Sequence, residues 1–150
     1  MSPRGAASVT LENQEIKIEY GRPTLRGRKA IGTTLAPYGQ VWRTGADAAP
    51  KLTTPIDLEI ADLAAPAGSY SLFVLPKESG WTLIVNKIAD QWGAYDYDKA
   101  NDLGRVEMTL SKPAALVEQF TIAFEKRREN AATLTFAWEN TQASVEVIAQ

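Results

Sequence analysis

A two-residue alternation of apolar and polar positions runs through most of the chain. In residues 119–125 (QFTIAFE), Phe120, Ile122 and Phe124 alternate with mostly polar neighbours, and residues 133–139 (TLTFAWE) repeat the pattern. A period of two is typical of β-strands that bury one face. The same pattern occurs in residues 8–12, 15–20, 56–60, 105–110 and 144–149.

Two further segments, residues 70–76 (YSLFVLP) and 81–87 (WTLIVNK), are more continuously apolar. Such runs are typical of central strands that are covered on both faces. The short connection between them predicts a β-hairpin, and the connections at 126–132 and 139–142 predict two more. Only residues 113–120, which begin with Pro113, fit the start of a short helical turn.

Together these patterns predict an all-β fold: a single antiparallel β-sandwich, jelly-roll-like, with about nine strands. A barrel is the alternative topology. The length of 150 residues and the hydrophobic content of 45% fit one domain that can form its own core. We assign this domain to residues 14–150. We expect residues 1–13 to be an N-terminal segment that is either partly disordered or the first edge strand.

The chain contains no Cys and no His, which narrows the chemistry it can perform. Disulfides, Ser-His-Asp triads, Cys-His dyads and metal sites with Cys or His ligands are all excluded. The acidic residues between 96 and 107 partly follow the spacing of a calcium-binding EF-hand loop. However, Ala100 and Asn101 stand where that loop needs a ligand and a glycine. We therefore predict no cofactor and no metal site.

The charge and the termini bear on partners and location. A net charge of −2 does not favour nucleic-acid binding, and no apolar run approaches the ~18 residues of a membrane helix. Exposed strand edges can pair with a second copy of the chain, so a homo-oligomer is compatible with the sequence.

The N-terminus MSPRGAAS lacks the charged and apolar parts of a signal peptide. Either the protein is cytoplasmic, or it is a mature exported protein with Met1 in place of a removed signal peptide.

Two irregular stretches, residues 21–50 and 88–104, interrupt the alternation. Long irregular segments on a rigid sheet commonly carry functional residues. The first stretch is rich in Arg, and guanidinium groups bind carboxylate, phosphate or sulfate through two parallel hydrogen bonds. This composition predicts a site for an anion or a polar ligand. The alternative is that each Arg pairs internally with an acidic residue and ties the loop to the sheet.

The second stretch is acidic and aromatic, and it includes Trp92, Tyr95, Asp98 and Asp102. Aromatic side chains beside carboxylates suit a sugar. The sugar ring stacks on the aromatic face, and its hydroxyl groups form hydrogen bonds with the carboxylates. The alternative is a solvated loop whose aromatic side chains close the open end of the sandwich.

The order of several sequence blocks resembles the bacterial domain-of-unknown-function family 2911. These blocks are YGRPTLRGRKAIG, LAPYGQVWRTGAD, PAGSYSLFVLP, WTLIVNK and WGAYDYD, and the resemblance covers residues 14 to at least 110. It implies no activity. It implies an exported protein, because members usually carry an N-terminal signal. The family usually has Asn after WRTGA, whereas this chain has Asp47, which when ionised offers only hydrogen-bond acceptors.

The leading hypothesis is a non-catalytic module that binds a small polar or anionic ligand, a saccharide for example, at a rim formed by residues 22–47 and 92–105. One alternative is a hydrolase that uses two of its Asp carboxylates, ~5–10 Å apart, in an open cleft. The other is a structural or protein-interaction domain that works through strand edges or an apolar patch. The predicted ligand-binding residues are Arg22, Arg28, Trp42, Arg43, Asp47, Trp92, Tyr95 and Arg105; the hydrolase would draw on Asp47, Asp96, Asp98 and Asp102.

Overall fold

The computed structural model describes residues 3–33, 35–45, 48–91 and 97–150. The only helix in these ranges is one 3-10 turn, Lys99–Asn101, so none of their helices is long and apolar enough to cross a membrane. The strands are β1 (Arg4–Leu11), β2 (Gln14–Gly21), β3 (Lys51–Thr54), β4 (Leu58–Ile60), β5 (Leu63–Ala65), β6 (Gly68–Pro76), β7 (Trp81–Asn86), β8 (Asp102–Ser111), β9 (Val117–Arg128), β10 (Ala131–Glu139) and β11 (Thr141–Ala149).

The strands form one antiparallel sheet whose two ends approach each other. Neighbours follow the order β1-β2-β3-β6-β7-β8-β11-β10-β9, and the β4–β5 hairpin is attached through β4 to β11. Strand β1 packs against β9, and the Glu12 amide donates to the Glu129 carbonyl at 3.0 Å. The sheet is therefore nearly closed into a barrel. The prediction of an all-β antiparallel fold is confirmed.

Each of the nine predicted segments overlaps a strand, and the three predicted hairpins are β6–β7, β9–β10 and β10–β11. The helical turn predicted at 113–120 is wrong. Its C-terminal part is the start of β9, because the Leu25 amide donates to Glu118 and the Phe120 amide to Pro23, which holds this segment extended. The short strands β3 and β5 were not predicted.

An aromatic cluster fills the centre of the core. Trp81 and Trp138 are fully buried there together with Phe120. Trp42, from the first irregular stretch, stacks on Trp138 with ring centroids 5.9 Å apart, and it meets Trp81 and Phe120 edge to face. Two backbone hydrogen bonds with Val74, at 2.7 and 2.9 Å, hold Trp42 beside β6.

The outer face of β6 and β7 is covered as well, as their continuous apolar pattern predicts. Phe73 and Ile84 lie on this face and are 0% exposed. Val41 and Ala49 from the first irregular stretch and Tyr97 from the second pack against them. The Ala49 amide also donates to the Gln91 carbonyl at 2.9 Å. The two irregular stretches thus meet on the outside of the sheet.

Candidate functional site

A row of polar side chains crosses the outer face of the sheet beside this meeting point. In the strand register Glu19 pairs with Lys51, Lys51 with Ser71, Ser71 with Asn86, and Asn86 with Asp102. Residues directly opposite each other in neighbouring antiparallel strands share a face. These five residues therefore form one line across β2, β3, β6, β7 and β8, which we call the polar row.

The centre of the polar row is buried under residues 87–91. The Ser71 hydroxyl donates to the Ile88 carbonyl at 2.6 Å. The Gln91 side-chain amide lies 2.8 Å from both Ser71 Oγ and Asn86 Oδ1, and Asn86 Oδ1 also accepts from the Ile88 amide at 3.1 Å. Ser71, Asn86 and Gln91 are all buried. Because buried polar groups are costly to leave unpaired, this network fixes residues 87–91 to the sheet.

Asp102 ends the polar row and is held by three side chains. It accepts from Asn86 Nδ2 at 3.0 Å, from the Tyr97 hydroxyl at 2.7 Å and from Arg105 Nε at 3.2 Å. Burial raises the pKa of Tyr97, and the hydrogen bond to Asp102 raises it further. Burial lowers the pKa of Arg105, but its bonds to Tyr97 and Asp102 outweigh that effect and the pKa is raised. Arg105, a predicted ligand-binding residue, is thus part of an internal network.

The other end of the polar row opens into a cleft of about 380 Å³, which we call the row cleft. Glu19 and Lys51 belong to the sheet, and the walls come from the two irregular regions. Lys51 Nζ lies 3.3 Å from Asp90 Oδ1. The lining residues are Arg4, Glu19, Ala48, Ala49, Lys51, Ala89, Asp90 and Gln91.

Arg22 and Arg28 make hydrogen bonds within the protein. This agrees with the tie interpretation, the alternative in which the Arg residues of the first stretch tie the loop to the sheet. Arg22 donates from Nε to the Phe120 carbonyl at 3.1 Å and from Nη2 to Thr121 Oγ1 at 2.9 Å, which joins the end of β2 to β9. Arg28 donates to the carbonyls of Leu25 and Thr24, at 2.8 and 2.9 Å, and closes its own turn. The acceptors are carbonyl and hydroxyl oxygens, whereas the tie interpretation supposed carboxylates.

Trp42 and Arg43 lie in very different surroundings although they are adjacent in sequence. Trp42 is 5% exposed within the aromatic cluster, so it contributes to the core and does not present the ligand-binding surface predicted for it. Arg43 is half-buried, and its Nε is buried without a hydrogen-bond partner among the residues that the structure describes. The other predicted ligand-binding residues, Asp47, Trp92 and Tyr95, lie outside the described residues.

Of the four carboxylates considered for a hydrolase, the two that the structure describes, Asp98 and Asp102, do not line the row cleft. Asp98 accepts from the Ala100 amide at 2.9 Å and caps the 3-10 turn, and Asp102 lies in the network with Tyr97 and Arg105. Asp47 and Asp96 lie outside the described residues. Within the described ranges no group of three or more acidic residues is arranged to hold a metal ion.

Sequence reasoning missed the charged and polar residues of the row cleft: Arg4, Glu19, Lys51, Asp90 and Gln91. Glu19 occupies an outward position of β2, which the alternation at 15–20 marks as solvent-facing, whereas Arg4 precedes the alternating segment predicted at 8–12. Lys51 lies in the unpredicted strand β3, however, and its pairing with Glu19 follows from the order of the strands. The alternation therefore identifies the face of β2 that carries Glu19. It does not identify the residues that lie beside Glu19 in the folded protein.

Comparisons with known proteins give a family and nothing more specific. Neither the curated proteins nor the solved structures contain a match to this chain. Residues 2–147 match the family described as "Protein of unknown function (DUF2911)", which agrees with the resemblance seen in the sequence blocks. Since the match spans nearly the whole chain, the protein belongs to the DUF2911 family.

Proposed function

We propose that the protein is a non-catalytic module that binds a small polar ligand in the row cleft. The observation that supports this most is the set of side chains there. Two cations, Arg4 and Lys51, and two carboxylates, Glu19 and Asp90, lie beside the Gln91 amide where the two irregular stretches meet. Its 380 Å³ lies within the usual range of ~300–1,000 Å³ for sites that hold small molecules.

The support behind the row cleft favours binding over a passive surface depression. Gln91 belongs both to the cleft lining and to the buried network with Ser71 and Asn86, so this wall is held in place without a ligand. A site that is already ordered loses less conformational entropy when a ligand binds. The polar row thus serves as a rigid support at one end and as a binding surface at the other.

We propose that the nearly closed sheet is a two-layer, jelly-roll-like sandwich, because residues of β1–β3 and of β8–β11 bury their inner sides in one common core.

We also propose an extracytoplasmic location, periplasmic or secreted. This rests on the resemblance to a family whose members usually carry export signals.

A thermal-melt screen of the full chain tests the binding function. The compounds are phosphate, sulfate, succinate, glycine, and neutral mono- and disaccharides. A ligand present at a hundred times its dissociation constant should stabilise the protein by about 2.7 kcal/mol, which raises the melting temperature measurably. We expect the shift in the parent protein and its loss in Asp90→Asn and in Lys51→Met.

Lys17→Met is the matched control for Lys51→Met. Lys17 lies on β2, exposed on the same face of the sheet as Glu19, and it does not line the row cleft. It should therefore keep the ligand-induced shift. A shift that survives in Asp90→Asn and Lys51→Met, or no shift with any compound, would overturn the proposed function.

A further inference from the structure

We infer that the ligand of the row cleft is an uncharged molecule rich in hydroxyl groups, namely a saccharide, and that the site discriminates against anions. This inference rests on the proposed function. It is carried by the order of the charges in the cleft, by the ion pair between Lys51 and Asp90, and by the exposure of these two side chains.

The charges of the row cleft alternate in sign across the structure. Arg4 stands on β1, Glu19 on β2 and Lys51 on β3, and Asp90 stands in the segment beside them. Among the described residues of the cleft, the two positive and two negative groups leave no net charge. Phosphate and sulfate sites typically gather several cations around the anion. Here a phosphate near either cation would also face a carboxylate, and like charges repel one another.

The ion pair adds a second argument against an anion. Lys51 Nζ and Asp90 Oδ1 are 3.3 Å apart, so this cation of the cleft already has a partner. An anion would have to compete with Asp90 for Lys51. A hydroxyl group can instead accept from Lys51 and donate to Asp90 at the same time, because it is both donor and acceptor. The hydroxyl group then bridges Lys51 and Asp90, and the charges of these two side chains still compensate each other.

The exposure of the side chains agrees with such bridging. The Asp90 side chain is 86% exposed and the Lys51 side chain is 37% exposed. Both therefore keep hydrogen-bonding positions that a ligand can reach. Glu19 and Lys51 lie directly opposite each other on strands ~4.8 Å apart, and Arg4 lies two residues before the position that pairs with Glu19. A rigid ring with several hydroxyl groups can contact more than one of them together.

Isothermal titration calorimetry of the full chain tests the ligand class. The probes are glucose, galactose, N-acetylglucosamine, maltose and cellobiose, set against inorganic phosphate, sulfate, succinate and glycine. We expect at least one saccharide to bind, with an affinity that hardly changes between low and high salt. Glu19→Gln and Lys51→Met should each weaken this binding by about tenfold, the size expected for a lost hydrogen bond to a charged group. Lys17→Met should bind as the parent does.

The outcomes separate this inference from the proposed function. Binding of phosphate, sulfate, succinate or glycine without any saccharide, and its loss in Lys51→Met, would keep the row cleft as a site and overturn the saccharide inference. Saccharide binding that is unchanged in Glu19→Gln and Lys51→Met would place the site elsewhere and overturn both. The absence of binding by every probe would also overturn both. Circular dichroism of each variant verifies that it is folded.

Discussion

At the scale of single residues, the backbone around Arg43 is held in unusual conformations. Thr44 has a φ of 64° and Gly45 a φ of 129°, and both are buried. A Cβ atom on Gly45 would lie 2.6 Å from the Gly21 carbonyl oxygen and 3.5 Å from the Phe120 ring. The first irregular stretch therefore passes between the end of β2 and the aromatic cluster, and only a glycine fits at this crossing.

Gly45→Ala should destabilise the protein far more than Gly39→Ala. Gly39 also has a positive φ, 75°, but no atom of the described residues lies within 4 Å of its added Cβ. Gly39→Ala should therefore cost only the conformational strain, about 1 kcal/mol. Gly45→Ala adds a clash with fixed backbone and should cost at least about 3 kcal/mol. Urea denaturation of both variants measures the difference. Equal losses of stability would contradict the steric explanation.

At the scale of elements, the segment before β8 is attached to the sheet through Tyr97. Its ring packs on Phe73 with centroids 4.8 Å apart, and its hydroxyl donates to Asp102 and accepts from Arg105. The phenol thus covers the apolar outer side of β6 and also meets the end of the polar row. Tyr97 therefore holds residues 97–102 against β6 and β8, together with hydrogen bonds from Asn86 Nδ2 to the Asp98 carbonyl and from the Lys87 amide to the Asn101 carbonyl.

Tyr97→Phe should change the dependence of stability on pH in a defined direction. Burial and the bond to Asp102 raise the pKa of Tyr97 in the folded protein. The neutral phenol is therefore favoured by folding, and its contribution is fully present below the unfolded pKa of about 10. It is lost as the pH rises through the folded pKa. The parent should lose stability in this range more steeply than Tyr97→Phe does.

The measurement is the free energy of unfolding from urea titrations between neutral pH and pH values above about 10, the pKa of an unperturbed phenol. At neutral pH, Tyr97→Phe should be less stable by about 1–2 kcal/mol through its lost hydrogen bonds. Tyr70, whose pKa is raised by burial and by Asp57, is present in both proteins and contributes equally. The difference between the two curves therefore isolates Tyr97. Parallel curves would show that the Tyr97 proton is not linked to folding.

The elements that could be predicted are those whose pattern is local. A strand such as β9 or β10 alternates over many residues, so its period identifies it. The strands KLTT (β3) and LAA (β5) are too short to show a period, and their places follow from pairing with other strands. The same limit applies to the site. Arg22 bonds to a carbonyl 98 positions away, and Glu19 meets Lys51 only through strand pairing.

At the scale of the whole molecule, the sheet closes along a seam between the β1–β2 end and β9. Besides the Glu12–Glu129 hydrogen bond, the seam includes isolated contacts: the Leu25 amide donates to Glu118, the Phe120 amide donates to Pro23, and Arg22 reaches across to Phe120 and Thr121. By contrast, β7 is paired along its length with β6 and β8 and is buried on both faces. The seam should therefore open in fluctuations that leave β7 intact.

Native-state hydrogen exchange can test whether Arg22 holds this seam. Arg22→Met keeps the apolar stem that packs over Gly5, and it removes the two side-chain hydrogen bonds of Arg22. A lost bond to a charged donor is worth about 1.5–3 kcal/mol, so protection of the Leu25 and Phe120 amides should fall by tenfold or more. Leu83 and Ile84 in β7 should lose less protection. The matched control is Arg26→Met, because Arg26 is exposed and, within the part of the chain that the structure describes, its side chain bonds only locally, to Thr24.

The comparison between seam and centre decides what closes the sheet. If the hydrogen bonds of Arg22 hold the seam closed, their loss lowers the free energy of local opening. Protection from exchange then falls more at the seam amides than at the amides of β7. If both regions lose protection equally, the seam opens only when the whole molecule unfolds, and closure is then enforced by the aromatic cluster of Trp42, Phe120 and Trp138 beneath it. In that case Arg22 contributes to global stability alone, and packing joins the two ends of the sheet.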